Sequence, residues 1–488
     1  MTETRNTSRV LAAVDALKRH ERHEAVALLN AELQHGPRTG DAWKSISRLA
    51  SNIREIEIAI EAAHRYAQTP PVTLEKQLFY WRELAANGRL DDVESGISAL
   101  PEAARRHPAV LHFQATITEQ RGDFDAAIAG YRDAIARSPG PAQVESWFAL
   151  AMLRKFSPGD SDLAAIEALA PHVRSAPPLI AARWHYALGK ALQDQGEYDR
   201  AFACFSNGAA LRRQGERFDA DALSSVADRV IRDYTAEGLA RLTPSKNDSR
   251  RAIFVNGLPR SGTTLAEQIL TAHDDVGDGG EINLARAALL PAGDTGLEAA
   301  LAYQQRSASE DPWGAIADDY LRLCTMLFGD SGRFVDKTLL QSHIAGLLLH
   351  SLPEAKMIWM RRDPEDCAIS CFTTYFTEPV PWSWSLEDIA RLFAIEDRLH
   401  AHWRALFPER ILTVSYEALA RDPEQWVPRM AAHVGLSMDS AMLEPHRNSR
   451  TVRTASVQQV RSAIGTGRIG MSQQYDEQLA AFRTIYGG

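Results

Sequence analysis

A regular spacing of 34 residues in the first part of the chain constrains the fold more than any other feature. Small or aliphatic side chains recur at this distance, at Ala25, Ala59, Val93 and Ala127. A proline follows the first, second and fourth of these positions at one fixed distance, where it would end a helix. Because small residues let two helices approach closely, the spacing predicts repeated pairs of antiparallel helices.

The clearest copies of this pattern lie at residues 122–139 and 188–205, and a degenerate copy fills residues 148–165. The pattern resembles the tetratricopeptide repeat, and Trp43 stands where that repeat places a tryptophan on its first helix. The resemblance implies an all-α solenoid whose concave surface binds a peptide, caps the rest of the chain or mediates a homo-oligomer. A helical domain without true repeats is the alternative.

Length and charge limit the class of protein. With 488 residues the chain is too long for a single ordinary core, so we expect at least two domains. The net charge of −9 argues against a non-specific nucleic-acid-binding protein, which is usually basic, and we expect no nucleic-acid partner. No apolar run approaches the ~18 residues that span a membrane, and no leader pattern is present, so we expect no membrane partner and a cytoplasmic location.

Four cysteines, Cys204, Cys324, Cys367 and Cys371, are few for this length, which is typical of a reducing compartment. They form no CxxC pair, and no matching set of histidine or cysteine ligands accompanies them. We interpret them as buried free thiols and expect no metal.

Residues 253–265 form a second informative feature. A short apolar stretch leads into a Gly/Pro/Ser loop, and the loop leads into a helix-like segment, 264–271. This order predicts a strand, an anion-binding loop and a helix N-terminus, whose N–H groups and dipole favour negative charge.

The loop differs from the ATP-binding P-loop at one decisive position. Gly257 and Gly262 have the Walker A spacing, but Thr263 stands where that motif carries its lysine. Without the lysine, the usual contact with β- and γ-phosphates is lost. The loop, with Arg260 inside it, therefore predicts a phosphate-like ligand other than a nucleoside triphosphate tail.

After this loop, short apolar stretches at 333–335, 356–360 and 411–414 alternate with helix-like stretches. The helix-like stretches lie at 318–328, 342–351, 364–376 and 386–406. The alternation predicts a parallel sheet with helices on both faces, and ligands of such sheets bind at the carboxyl ends of the strands. The residues at these ends are Arg260, Asp336, Lys337, Arg361, Arg362, Tyr416 and Glu417.

The chain is therefore predicted to be a multidomain α plus α/β protein. A tetratricopeptide-repeat helical domain would occupy residues 1–242, a linker 243–250, and a P-loop-like α/β domain with a parallel sheet 251–488. The linker assignment depends on the run from Thr243 to Ser249, which is rich in turn-forming residues.

Two motifs, LPRSGTTL and MIWMRRDPEDCAIS, resemble the two-part signature of sulfotransferases that use 3′-phosphoadenosine 5′-phosphosulfate. Each follows a predicted strand. The combination with the repeats is similar to a bacterial group related to tyrosylprotein sulfotransferases. The resemblance covers roughly residues 250–488 and implies the family's α/β sulfotransferase fold.

The resemblance also implies a donor-binding site. The loop residues would hold the 5′-phosphosulfate; they are Arg260, Ser261, Gly262, Thr263 and Thr264. Residues further along the chain would hold the 3′-phosphate or lie near adenine; they are Arg362 and Ser370 for the phosphate, Tyr416 for adenine, and Ser456 and Arg461 in a C-terminal segment, where the serine reaches the sulfuryl group.

Catalytic roles follow from the same resemblance. Glu281, after the glycine-rich turn at 277–280, would be the general base for the acceptor hydroxyl. Lys337 would neutralise charge on the leaving phosphate, and Arg260 and Ser456 would contact the transferring group. Asp278 is the rival carboxylate.

Two departures from the family's pattern concern the donor site. Lys337 is followed by Thr338 where the family often has proline, and Met471 stands where the family has a late cation. Arg468 is the candidate replacement for that cation. Two histidines inside helical patterns, His343 and His433, are interpreted as structural rather than as bases.

The predicted function is transfer of a sulfuryl group to an acceptor hydroxyl, either of a peptide tyrosine held by the repeats or of a small molecule, glycan or lipid. The predicted product of the donor is 3′,5′-bisphosphoadenosine. A P-loop-like kinase or NTPase and a catalytically inactive repeat scaffold are the alternatives from other classes.

Overall fold

The computed structural model describes residues 8–36, 40–377, 380–447 and 463–487. The predicted site residues Ser456 and Arg461 lie outside the described residues, as does the side chain of Asp278.

Helices make up the first half of the chain, as the repeat spacing predicts. They are α1 (Arg9–Lys18), α2 (Arg22–His35), α3 (Ala42–Asn52), α4 (Ile56–Gln68), α5 (Leu74–Ala86), α6 (Leu90–Ser98), α7 (Glu102–Arg105), α8 (Pro108–Gln120), α9 (Phe124–Arg137), α10 (Val144–Leu153), α11 (Ser161–Ala168), α12 (Ala170–Val173), α13 (Pro178–Asp194), α14 (Tyr198–Arg213), α15 (Ala220–Asp233) and α16 (Ala236–Leu239).

Consecutive helices pack in pairs, α1 on α2, α3 on α4, α8 on α9 and α13 on α14. The small residues of the 34-residue spacing lie on α2, α4, α6 and α9, of which α6 packs on α5 in the same way, and Ala25, Ala59, Val93 and Ala127 are all 0% exposed. At Gly130 of α9 an added Cβ would lie 3.0 Å from the Cβ of Ala115 on α8. The close approach that the sequence predicts is therefore present.

A five-stranded parallel sheet organises the second half. Its strands are β1 (Ala252–Gly257), β2 (Val276–Gly280), β3 (Arg333–Asp336), β4 (Lys356–Arg361) and β5 (Ile411–Ser415), in the order β2-β3-β1-β4-β5. Helices connect and cover them: α17 (Thr263–Thr271), α18 (Leu284–Ala288), α19 (Leu297–Arg306), α20 (Pro312–Phe328), α21 (Ala345–Ser351), α22 (Pro364–Phe372), α23 (Leu386–Leu406), α24 (Tyr416–Arg421), α25 (Pro423–Val434) and α26 (Ala480–Tyr486).

The central strand β1 is buried on both faces, which explains its continuous apolar sequence. Ala252 and Phe254 pack into a core with α18, α20, α21 and α23, whereas Ile253 and Val255 pack into a core with α17 and α25. The predicted fold, a helical repeat region followed by an α/β unit with a parallel sheet, is confirmed.

One secondary-structure prediction was wrong. The glycine-rich run at 277–280, assigned to a turn, belongs to the edge strand β2, which pairs with β3 through an irregular register. An added Cβ at Gly279 would lie 2.8 Å from the carbonyl oxygen of Val335, so glycine allows this strand to approach β3. Strand propensity could not reveal it, because the run lacks β-branched residues.

The boundary at 243–250 stays a prediction. Residues of this segment hydrogen-bond to the α/β unit: the Thr243 amide donates to Gln304 at 2.9 Å and the Ser245 hydroxyl to the carbonyl of Ser351 at 2.8 Å. Helix α15, on the other side of the segment, packs against α23.

Candidate active site

The loop between β1 and α17 is shaped by two glycines with positive φ. Gly257 has φ +147°, and an added Cβ would lie 2.7 Å from the carbonyl oxygen of Met360; Gly262 has φ +100°, and its Cβ would lie 2.7 Å from the ring of Tyr416. Arg260 adopts φ +69°, which is unusual for a residue with a side chain. The loop backbone is therefore fixed against β4 and against the start of α24.

Helix α17 begins directly after Gly262, with Thr263 and Thr264 as its first residues. Both are buried, and the hydroxyl of the preceding Ser261 donates to the carbonyl of Leu258 at 2.6 Å. The start of a helix, where N–H groups and the helix dipole favour an anion, therefore adjoins the loop, as the sequence predicts.

Two arginines from other parts of the chain, Arg362 and Arg468, lie close to Arg260 of this loop. Enclosure by protein, and then the nearby cations Arg468 and Arg362, lower the pKa of Arg260 to about 10. Enclosure also lowers the pKa of Arg468, with Arg362 contributing. A site that concentrates positive charge in this way favours an anionic ligand, because an anion would relieve the mutual repulsion.

Arg260 connects the loop to α22. Its Nε donates to the hydroxyl of Ser370 at 3.0 Å, although the two residues are 110 positions apart. Ser370 is 4% exposed and lies on the buried face of α22. The structure thus brings together two residues that the sequence assigns to one ligand.

Arg362 stands at the end of β4 and holds the other side of the loop. Its guanidinium donates to the carbonyl of Arg260 at 3.1 Å and to the carbonyl of Arg468 at 2.6 Å, and it lies 4.9 Å from the ring centroid of Tyr416. Asp366 approaches it at 3.5 Å. Within the described residues, the buried Nε of Arg362 has no hydrogen-bond partner.

Asp366 places the segment that carries Arg468. This carboxylate is 1% exposed and accepts the amides of Gly470 at 2.7 Å and Ser472 at 2.8 Å. Arg468, two residues before Gly470, is thereby fixed beside Arg362. Met471, at the position of the family's late cation, supplies no charge. The position of Arg468 agrees with the expectation that Arg468 replaces this cation, and the assignment stays a prediction.

Lys337 and Glu281 form an ion pair at the adjacent strand ends of β3 and β2. The Lys337 ammonium donates to Glu281 Oε1 at 2.7 Å, and its backbone amide donates to the carbonyl of Gly280 at 3.0 Å. The lysine side chain is 0% exposed, whereas Glu281 is 38% exposed. A second carboxylate, Glu267 of α17, lies 3.7 Å from the same ammonium. A buried cation thus adjoins an accessible carboxylate.

Asp336, the last residue of β3, directly precedes Lys337, and both are buried rather than at the protein surface. Asp336 is fully buried and accepts the hydroxyl of Tyr320, the amide of Thr338 and the side-chain amide of Gln341, each at 3.0 Å. Burial raises the pKa of Asp336, and these donors oppose that effect. The backbone after Lys337 is therefore held by polar contacts where the family often has a proline.

The two histidines weighed as bases have other surroundings. His433 approaches the carbonyl of Met357, near the amino end of β4, at 3.2 Å, and burial lowers its pKa. Burial lowers the pKa of His343 to about 4. A lowered pKa makes each imidazole a weaker base, in agreement with a structural role.

Sequence reasoning missed four contributors to this site. Glu267 and Asp366 are buried carboxylates on helices, and Cys367 and Cys371 both donate to the carbonyl of Pro259, at 3.2 and 3.3 Å. A charged residue inside the mostly apolar run Leu265–Leu270 was a signal for Glu267. The sequence held no such signal for Asp366, because acidic residues are common in the first turn of a helix.

Residues 252–440 match the model of the family described as the Sulfotransferase family. These residues form a sulfotransferase domain. The match begins at β1 and includes the loop, Glu281, Lys337, Arg362 and Ser370, so the predicted resemblance is confirmed for this region.

Two curated relatives extend the comparison. An uncharacterized protein of Aquifex aeolicus is 30% identical over 307 residues, which are 60% of this chain and 40% of that protein. A protein-tyrosine sulfotransferase of Drosophila melanogaster is 25% identical over 237 residues, 46% of each chain. The chain spans less than half the length of these two relatives. Among solved structures, the sulfotransferase domain of the Synechococcus PCC 7002 olefin synthase aligns at 19% identity with a TM-score of 0.31, covering 48% of this chain and 98% of that one.

No described helix has the length and apolar character that crossing a membrane requires. No group of three or more His, Cys, Asp or Glu side chains that could hold a metal ion occurs in the part of the chain that the structure describes.

Proposed function

We propose that this protein transfers the sulfuryl group of 3′-phosphoadenosine 5′-phosphosulfate to an acceptor hydroxyl. The observation that carries the proposal is the meeting of Arg260, Arg362 and Arg468 at a glycine loop that lacks the Walker lysine. A donor with two separated phosphate-like groups matches several fixed cations better than a single phosphate chain does.

The residues present fit this donor. The buried Nε of Arg362 is a hydrogen-bond donor that an anion could satisfy, and Gly257 and Gly262 let the loop backbone pack closely against β4 and Tyr416. Arg362 and Ser370 would hold the 3′-phosphate, and the loop with Thr263 and Thr264 would hold the 5′-phosphosulfate. Tyr416 would lie near adenine. When bound, the donor supplies a sulfuryl group whose S–O bond to the 5′-phosphate breaks as the acceptor oxygen bonds to sulfur.

Glu281 and Lys337 would have separate roles, Glu281 in proton transfer and Lys337 in stabilising charge. Glu281 Oε1 accepts a hydrogen bond from Lys337, and the Glu281 side chain is partly exposed. The lysine therefore orients the carboxylate, which an acceptor hydroxyl could still reach. The carboxylate would take the hydroxyl proton. Lys337 and Arg260 would stabilise charge on the leaving phosphate from fixed, water-excluded positions. Ser456, outside the described residues, would contact the sulfuryl group.

Calorimetry with product and competitor nucleotides tests the donor. We expect 3′,5′-bisphosphoadenosine to bind tightly, ATP to bind weakly, and Mg²⁺ to change neither. Arg362→Met should weaken the bisphosphate by about 1.5–3 kcal/mol, the range for hydrogen bonds to charged groups. Arg361→Met is the matched control, because that neighbouring arginine pairs with Asp397 instead. Preference for Mg·ATP would establish a kinase or NTPase in place of the sulfotransferase.

Turnover distinguishes an active enzyme from an inactive scaffold. With labelled donor, Glu281→Gln should bind 3′,5′-bisphosphoadenosine as the wild type does and lose sulfuryl transfer, because only the proton acceptor is removed. Retained turnover would exclude Glu281 as the base. Bisphosphate binding without transfer to any acceptor in the wild type would support the scaffold.

For the acceptor we propose a peptide tyrosine held by the helical repeats. The similarity to a protein-tyrosine sulfotransferase supports this choice, as does the concave surface that a repeat array presents. The test compares peptides that carry a single tyrosine with the same peptides carrying phenylalanine, alongside small phenols, glycans and lipids. Transfer confined to the small hydroxyl compounds would replace the peptide by that class.

A further inference from the structure

The last helical pair, α13 and α14, contacts the donor-binding elements directly. The Tyr186 hydroxyl of α13 donates to the carbonyl of Phe372 at 3.1 Å. Phe372 is the final residue of α22, two positions after Ser370, and its ring lies 5.2 Å from that of Phe202 on α14. The helix that carries a predicted phosphate ligand therefore ends on the repeat array.

The contact is made of rigid parts. Tyr186 is 0% exposed, and burial raises its pKa, so the hydroxyl stays protonated and can donate. An added Cβ at Gly208 of α14 would lie 2.7 Å from the Tyr186 ring, so only glycine leaves room for that ring. The ring also packs against Tyr375 at 5.2 Å between centroids. Tyr186 has little freedom to move away from Phe372.

The same pair also holds the segment that carries Arg468. Tyr475 is 1% exposed and packs between Tyr198 and Phe202 of α14, with ring centroids 5.5 and 6.0 Å away. Tyr475 lies three residues after Ser472, whose amide Asp366 accepts. The pair α13–α14 thus contacts both the end of α22 and the segment that places Arg468 beside the loop.

We propose that Tyr186 is a positioning residue for donor binding, and that α13–α14 belongs to the donor site rather than only to an acceptor-binding array. This inference rests on the proposed function, since Ser370 is assigned to the 3′-phosphate there. Tyr186 acts through the end of α22. Its hydroxyl sets the position of Phe372, and therefore the position of Ser370 relative to Arg260.

The test uses two nucleotides that differ only in the 3′-phosphate. Displacement titrations give the dissociation constants of 3′,5′-bisphosphoadenosine and 5′-AMP, and their ratio measures the preference for the 3′-phosphate. In full-length Tyr186→Phe we expect this preference to fall about 3- to 10-fold, the loss typical of one hydrogen bond, while 5′-AMP binds as before. A purely structural role would leave the ratio unchanged.

Tyr131→Phe is the matched control. Tyr131 is 1% exposed, but its hydroxyl donates to Glu119 of the neighbouring helix α8, within the array. That variant should lose a comparable hydrogen bond and keep the wild-type ratio. An unchanged ratio in Tyr186→Phe, or an equal loss in both variants, would overturn the proposal.

A double-mutant cycle with Ser370→Ala tests the route. If Tyr186 acts through Ser370, Tyr186→Phe should not lower the preference further once Ser370 is alanine. Fully additive losses would exclude this route. Absence of any 3′-phosphate preference in the wild type would instead contradict the proposed function, so the two failures can be told apart.

Discussion

The two ends of the helical array attach to the sulfotransferase domain by different chemistry. At the first end, the fully enclosed Arg22 of α2 donates to Asp319 of α20 at 2.8 Å and to Glu55 at 2.7 Å. At the last end, aromatic rings and hydroxyls make the contact, with Tyr186 and Tyr375 at its centre. Buried charge dominates one attachment and packing the other.

The attachments also reach different sides of the catalytic site. Asp319 precedes Tyr320, whose hydroxyl donates to Asp336 beside Lys337. The last end reaches α22 and Ser370. Breaking a buried ion pair is costly, whereas losing part of an aromatic contact costs less. We therefore expect substitutions at the first end to lower stability most, and substitutions at the last end to change donor binding.

The largest effect should come from Arg22→Met. Among the described residues, the change leaves the buried Asp319 and Glu55 paired with Arg322 alone, and removing one member of a buried pair costs about 3–5 kcal/mol. Because Arg322 still pairs with both carboxylates, the loss should lie near the lower limit. Urea denaturation followed by circular dichroism measures it. The preference for the 3′-phosphate should not change.

Arg19→Met is the control for that variant, because Arg19 pairs with Glu21 and Glu24 at the protein surface and should contribute nothing measurable. Equal stability of the Arg19 and Arg22 variants would mean that the first attachment is not held by charge.

We expect stability to depend on pH through Glu396, a buried carboxylate of α23 that forms no ion pair with the described residues. The pKa of Glu396 is raised from 4.5 to about 7, mainly by burial and further by Asp397, while the Ser342 hydroxyl at 2.6 Å, Arg286 and Arg361 oppose the shift. The unfolded chain therefore ionises first, and stability should fall as the pH rises from 4.5 to about 7.

Glu396→Gln should remove that slope, a difference on the order of 2–3 kcal/mol across the window, because each pKa unit corresponds to about 1.4 kcal/mol. Denaturation of both proteins at the two limits of the window measures it. Parallel pH profiles would show that Glu396 is ionised in the folded protein.

At the last attachment, Arg212→Met should cost about 1–2 kcal/mol, the range for a largely desolvated cation over aromatic rings. The guanidinium lies 4.8 Å from the Trp384 ring and 5.3 Å from the Tyr375 ring, and it donates to the Tyr375 hydroxyl at 3.3 Å. Because Tyr375 follows α22, this variant should also weaken 3′,5′-bisphosphoadenosine relative to 5′-AMP. Reduced stability with an unchanged nucleotide ratio would separate this part of the attachment from donor binding.

The elements that depend on local pattern were predictable from the sequence. Helix α23 has the predicted limits, Leu386 and Leu406, because its apolar residues keep helical periodicity and Ser385 caps its first turn. The places of Arg260 and Arg362 at strand ends followed from the predicted strands, whereas Ser370 was assigned through the resemblance to the sulfotransferase signature. Strand β2 did not follow, since its glycines reflect close approach to β3 rather than strand propensity.

Contacts between distant parts of the chain were not predictable in the same way. Arg22 and Asp319 are 297 positions apart, and neither differs in type from an ordinary surface residue until folding encloses both. Tyr186 matches the pattern of a repeat aromatic equally well whether it faces the array or α22. Such residues acquire their roles from the docking of two units, for which one sequence carries no periodic signal.

The smallest effect should come from Arg213→Met, which tests whether charge contributes at the last attachment. Arg213 neighbours Arg212 but is about half exposed, and it donates to Asp388 at 3.2 Å. Exposed pairs contribute about 0.2–1 kcal/mol, and Asp388 retains Arg391 at 2.8 Å, so the loss should be slight and should shrink in high salt. Denaturation of the Arg213 and Arg212 variants at low and high salt makes the comparison. A larger loss for Arg213 than for Arg212 would show that charge, and not the aromatic contact around Arg212, holds both ends of the array.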